Sequence, residues 1–209
     1  MRLRNLFVLA LATSFIATSA LPASADSAKP GQSMTHMKTG AGLASTLEAA
    51  GVVLYVQGGA TSSVIGDSIS AAAGQYVFHI PITANKSGVQ HTGSNIVFFN
   101  TANNAQLQLR NPVIDLAKGV VTATVPQAGN QVLDILTITN ASTLKAKVTN
   151  DRKAKLRTTA FAGATLSLAP GIAAAIATIL ALPANSLPDA AAFGSADVTL
   201  YGKSPLQMI

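Results

Sequence analysis

The chain has 209 residues, 49% hydrophobic but only 5% aromatic and 11% charged, with 16 Gly, 9 Pro, no Cys and a formal net charge of +6. That is enough apolar material for one domain with an aliphatic core, and so few charges exclude a coiled coil or a charge-driven disordered chain. The lack of cysteine excludes disulfides, thiol catalysis, Cys-type zinc sites and iron–sulfur clusters.

Arg2 and Arg4 precede an apolar stretch from Leu6 to Ala20, and Ala23-Ser24-Ala25 offers an A-x-A cleavage site before Asp26. This reads as a secretory signal peptide over 1–25, too short and wrongly flanked for a membrane anchor. The chain is therefore expected to be secreted or cell-wall associated. Its cleavage leaves 184 residues with a net charge of +4. Residues 26–40 are polar and turn-forming and are expected to be a flexible leader. A single β-rich domain over 41–203 and a tail over 204–209 complete the chain.

Leu43, Leu47 and Ala50 recur at helical spacing within Ala41 to Ala50, with Gly51 at the position of a C-terminal cap. From there the apolar period is two. Strands are expected over Val52 to Val56, Gln75 to Ile82, Asn95 to Asn100, Ala105 to Arg110, Val113 to Leu116 and Val120 to Val125. Further ones follow over Val132 to Thr139, Thr143 to Thr149, Leu156 to Thr159, Ala164 to Leu168 and Ala196 to Tyr201. Short strands at this spacing indicate an all-β fold, an antiparallel sandwich or open barrel. One interruption is Ala-rich: Pro170 and Gly171 lead into 172–182, and Pro183 follows, which predicts a second helix. Apolar nearly all round and too short to cross a membrane, it is expected to pack on a sheet or cap a barrel end.

Candidate chemical groups are sparse. His36, flanked by Met34 and Met37, has no second His or Cys close in sequence and reads as an incidental side chain of the leader, so no metal site is expected. In Gln75 to Ile82, Tyr76, Phe78 and Ile80 share the core-like face and His79 points the other way. His91 lies beside a turn, where an imidazole can bond loop backbone. The eight acids are scattered singly and no G-x-S-x-G elbow occurs, so no enzymatic function is expected. Lys145, Lys147, Arg152, Lys153, Lys155 and Arg157 form the one dense charge cluster. A turn at Asn150 to Lys153 would set Lys145, Lys147, Lys155 and Arg157 on one outer face. Such a patch suits an anionic cell-wall polymer or another surface protein, or protects a sheet edge. No aromatic residues interleave with these cations, which argues against nucleic acid.

The order of pieces then resembles a family. The helix ending Leu47-Glu48-Ala49-Ala50-Gly51 precedes Phe78-His79-Ile80-Pro81-Ile82 and then Gly88-Val89-Gln90-His91-Thr92-Gly93. Leu107-Gln108-Leu109-Arg110-Asn111-Pro112-Val113-Ile114-Asp115 and Gly119-Val120-Val121-Thr122-Ala123-Thr124-Val125 follow. This succession is similar to HtaA-like domains of exported actinobacterial proteins over about 160 residues, with Ala196 to Tyr201 as the closing strand. The resemblance implies an exported β-sandwich-like domain and, in the best-known members, a haem site with a tyrosinate ligand and a nearby His. Carried onto this chain, that role would fall to Tyr55 or Tyr76 with His79 or His91. The aromatic and Arg-containing segment that carries the axial Tyr in haem-binding members is not found near Leu47 to Tyr55. The leading expectation is thus a non-enzymatic binding or structural domain without a cofactor, and the alternative is a haem-binding domain.

Overall fold

The computed structural model describes residues 32–65, 74–183 and 186–203. The expected signal peptide and the tail from 204 onward lie outside the described residues. Among the described residues thirteen strands run in one antiparallel sheet with two helices, the all-β class that the period-two pattern predicted. In chain order they are β1 (Met34–Thr39), α1 (Leu43–Ala49), β2 (Val52–Gly58), β3 (Thr61–Ile65), β4 (Gln75–Pro81), β5 (Ala84–Asn85), β6 (Val89–Gln90) and β7 (Ser94–Asn100). Next come β8 (Gln106–Asp115), β9 (Val120–Val125), β10 (Gln131–Ile138), β11 (Lys147–Asp151), β12 (Leu156–Leu168), α2 (Ile172–Ile179) and β13 (Ala192–Lys203).

The sheet order is β2-β7-β8-β9-β10-β12-β13-β1-β4-β3, with β11 added to β12 and the β5–β6 hairpin added to β8. Its two ends, β2 and β3, follow one another in sequence, so the sheet curls into a nearly closed barrel. Inward side chains such as Phe78, Phe98, Leu166, Ile135 and Val198 are buried and form one aliphatic core. α2 lines that core too: Ile172, Ile176 and Ile179 face Leu107, Leu109, Val125 and Ile135. The Leu180 carbonyl at its end accepts from Asn100 Nδ2 at 2.8 Å and Asn103 Nδ2 at 3.1 Å, satisfying a group the helix leaves without an internal partner. No helix among the described residues is long and apolar enough to cross a membrane.

Several expectations need correction. Part of the expected flexible leader, Met34–Thr39, is a strand laddered on both sides, to β13 and to β4. Its inward residues are Thr35, Met37 and Thr39, all buried, and the two threonines hid the apolar alternation. Their hydroxyls are satisfied: Thr35 Oγ1 pairs with His91, and Thr39 Oγ1 accepts the Tyr76 N–H at 3.0 Å. The strands expected on either side of Asn111-Pro112 are one, β8, because a bulge between Arg110 and Val113 absorbs both residues, with Asn111 at φ 49°. Likewise β12 runs unbroken through Phe161 to Ala164, where Gly163 takes φ 72°. The strand expected from Thr143 begins only at Lys147, since Ala141–Thr143 forms a 3-10 turn held to the Asn140 carbonyl. β3, with its Thr-Ser-Ser start, and the two-residue β5 and β6 had no apolar signal in sequence. The apolar run Ile96-Val97-Phe98 of β7 is buried on both faces.

Candidate functional site

The register of β1 joins two of the three histidines of the chain. His36 stands directly opposite His79 on β4 and opposite Asp197 on β13, so an Asp197–His36–His79–Thr61 row crosses four strands. All four project from the outer face, because their neighbours Met37, Phe78 and Val198 take the inner one. The two imidazoles meet edge to face, ring centroids 4.8 Å apart and planes at 88°, with Nδ1 to Nδ1 at 2.8 Å. One ring therefore donates its Nδ1–H and the other accepts, which needs opposite tautomers. Burial lowers the His36 pKa, the His79 ring lowers it further, and Asp197 pulls in the opposite sense. Asp197 Oδ1 is engaged by the Gly163 N–H at 2.7 Å, leaving its second oxygen on the row. The sequence signal for this pair was the alternation of Met-Thr-His-Met-Lys-Thr, in which His36 shares a face with Lys38 and not with Met37.

His91 is a different kind of residue. Only 1% exposed, it sits inside the barrel wall with both ring nitrogens engaged. Nδ1 donates to the Pro112 carbonyl at 2.9 Å, which fixes the tautomer and leaves Nε2 to accept from Thr35 Oγ1 at 2.8 Å. The bulge that swallows Pro112 is what turns that carbonyl toward the ring. Burial lowers the His91 pKa, partly offset by the Pro112 bond, so the ring is neutral at pH 7.

The four residues expected for haem do not converge. Tyr76 is buried, stacked on Phe78 with centroids 6.0 Å apart, and burial pushes its phenol above the ordinary tyrosine range, away from tyrosinate. His79 lies on the opposite face of the same strand, His91 has no free nitrogen, and Tyr55 stands opposite Val97 on β2, with β3 between it and β4. The cavity enclosed by Ile80, Phe98, Ile114, Ile135, Leu166 and Val198 measures about 40 Å³, room for no more than a water molecule or so. These residues do not fit a haem. A titration with hemin should show no stoichiometric shift of the Soret band, and Tyr55→Phe or Tyr76→Phe should change nothing. A one-to-one complex lost with either substitution would contradict this geometry.

The expected four-cation face is also corrected. In the β11–β12 hairpin Lys147 pairs with Ala160 and Arg157 with Asn150, which puts Lys147 and Arg157 on opposite faces. Lys145 precedes the strand, and Lys155, at φ 54°, belongs to the turn. Asp151 Oδ1 holds that turn by accepting the N–H groups of Lys153 and Ala154. β11 is exposed along its whole length, on both faces, so the hairpin is a cationic finger and not a patch. Among the described residues the one ion pair is Lys118–Asp115 at 3.3 Å, so none of the finger's cations is in an ion pair with a described residue. No group of three or more His, Asp or Glu among the described residues could hold a metal ion.

No family model matches this chain, and no curated protein matches it. Among solved structures it is similar to the C-terminal domain of HtaA from Corynebacterium glutamicum, at 13% identity and a TM-score of 0.39, over 82% of this chain and 99% of that one.

Proposed function

We propose that the protein is an exported, non-enzymatic β domain that docks on an anionic cell-surface polymer through the β11–β12 finger. The observation that supports this is the distribution of charge. Lys145, Lys147, Arg152, Lys153, Lys155 and Arg157, set against Asp151 alone, carry +5 of the formal +6 of the whole chain. They do so on a hairpin whose outer strand, β11, is exposed along its whole length, where a polyanion is met from either side. The rest of the chain is close to neutral, so association is directed to this one element. Export rests on the basic start, the apolar run and the Ala-x-Ala site, and an intact mass beginning at Asp26 in culture supernatant tests it.

The docking is tested by binding of the purified chain to an immobilised glycerol-phosphate polymer. Near an anionic surface each Lys or Arg contributes about 1 kcal/mol. Changing Lys145, Lys147, Lys155 and Arg157 to Gln is therefore expected to weaken binding by about a hundredfold or more, with the melting temperature unchanged. Salt should weaken the parent in the same way, since exposed charges are screened over about 10 Å at 0.1 M. Equal binding by parent and quadruple variant would sink the reading, and the charges would then serve only to keep the open edge of β11 from pairing with another chain.

A further inference from the structure

We propose that His36 and His79 form a two-imidazole chelate for a divalent transition metal on the outer face of the sheet, and that Cu²⁺ is the ion it takes best. The two rings are supplied by neighbouring strands at directly opposed positions, so the backbone ladder from Met34 to Lys38 holds their separation before any metal arrives. Their Nδ1 atoms face one another at 2.8 Å. Two nitrogens each about 2.0 Å from a metal, in adjacent corners of a square plane, stand about 2.8 Å apart, and square-planar nitrogen sites suit Cu²⁺. Cu²⁺ also heads the ordinary affinity order for divalent ions at nitrogen ligands. A tetrahedral ion such as Zn²⁺ needs the rings somewhat further apart.

The surroundings complete the site without closing it. Asp197, opposite His36 on β13, spends one carboxylate oxygen on Gly163 and adds negative charge beside the pair without making a three-ligand group with it. Lys38 shares the outer face two residues along β1, so its cation opposes the positive ion and limits the affinity. Solvent supplies the remaining corners. When the ion binds, the ring that had donated in the His36–His79 hydrogen bond moves its proton to Nε2, and both Nδ1 lone pairs turn to the metal. Two neutral imidazoles become two ligands, with no net proton released. His91 cannot compete, because both of its nitrogens are already bonded inside the wall. The bound ion would staple the N-terminal strand to β4.

The test is a titration of the purified chain with Cu²⁺ at pH 7.4 in a non-coordinating buffer, read by continuous-wave and pulsed electron paramagnetic resonance. One equivalent should give a spectrum with two equatorial imidazole nitrogens. His36→Gln and His79→Gln should each leave one and weaken binding at least tenfold, and the double variant should lose this binding class. At a hundredfold excess over the dissociation constant the parent should melt roughly 5–10 °C higher, and the double variant should not. A parent spectrum with one imidazole nitrogen or none would overturn the proposal, whatever the variants do. So would a double variant that binds and melts with Cu²⁺ as the parent does.

Discussion

Replacing His91 by alanine is expected to lower the stability of the fold by about 3 kcal/mol. The substitution removes both bonds of a ring that is 1% exposed and leaves the Thr35 hydroxyl buried without its partner, while the Pro112 carbonyl keeps only the backbone N–H of residue 91 at 3.0 Å. The orphaned hydroxyl costs about 1–3 kcal/mol, and the emptied volume adds to that. His91→Phe restores much of the volume but neither bond, and should recover only part of the loss. Urea unfolding of the three proteins at pH 7 separates the two contributions. A cost below about 1 kcal/mol for His91→Ala would mean that the ring does not bridge β1 to the β8 bulge.

The same residue gives the parent an acid limb. With its folded pKa held below the unfolded value of 6.5, His91 carries fewer protons folded than unfolded between those two values. Its contribution is therefore fully present above about pH 6.5 and is lost as the pH falls, by up to about 1.4 kcal/mol per pH unit. His36, lowered as well, pulls in the same direction to a smaller extent because it is only half-buried. His91→Phe should flatten this limb, although its stability at pH 7 is the lower of the two. A parent whose stability is constant from pH 7 to pH 5 would count against a neutral buried ring.

What could be read in the sequence depended on whether polar residues sat on the inward face. In β4 the inward positions are Tyr76, Phe78 and Ile80, so both the strand and the outward direction of His79 were legible. In β1 the inward positions are Thr35, Met37 and Thr39, and the partners that make two threonines tolerable inside a core lie 56 and 37 residues away, at His91 and Tyr76. Nothing local announces them. The His36–His79 pair was missed for that reason: the His36/Lys38 alternation shows which way His36 faces once β1 is known to be a strand, and does not name its partner. The finger shows a different limit. Its cations were evident from spacing, but a turn at Arg152 to Lys155 instead of Asn150 to Lys153 changes the pairing, and a shift of one residue sends a side chain to the other face. Haem candidates selected by residue type met the same obstacle: type is local, whereas convergence on one point is a property of the register.

The site and the fold meet at the end of β1, where the second large effect is expected. Gly194 on β13 stands opposite Thr39, and its chain passes so close to β1 that a side chain cannot fit. A Cβ there would fall within the radius of the Lys38 carbonyl oxygen, 2.9 Å from its carbon and 2.8 Å from Thr39 Cα. These are backbone atoms, with no rotamer to yield, so the last residues of β1 would have to move. Thr39 receives the Tyr76 N–H on its hydroxyl and Gln75 Nε2 on its carbonyl at 2.6 Å, and both contacts would go with it. Gly194→Ala is therefore expected to cost about 3 kcal/mol or more. Gly202, on the same strand, has nothing within 4 Å of its Cβ position, and Gly202→Ala should be neutral or stabilising by up to about 0.5 kcal/mol. Because β1 carries His36, Gly194→Ala should also weaken Cu²⁺ binding in the chain that remains folded, whereas Gly202→Ala should leave it unchanged. Equal stability of the two alanine variants would show that β1 does not run against β13 at this point.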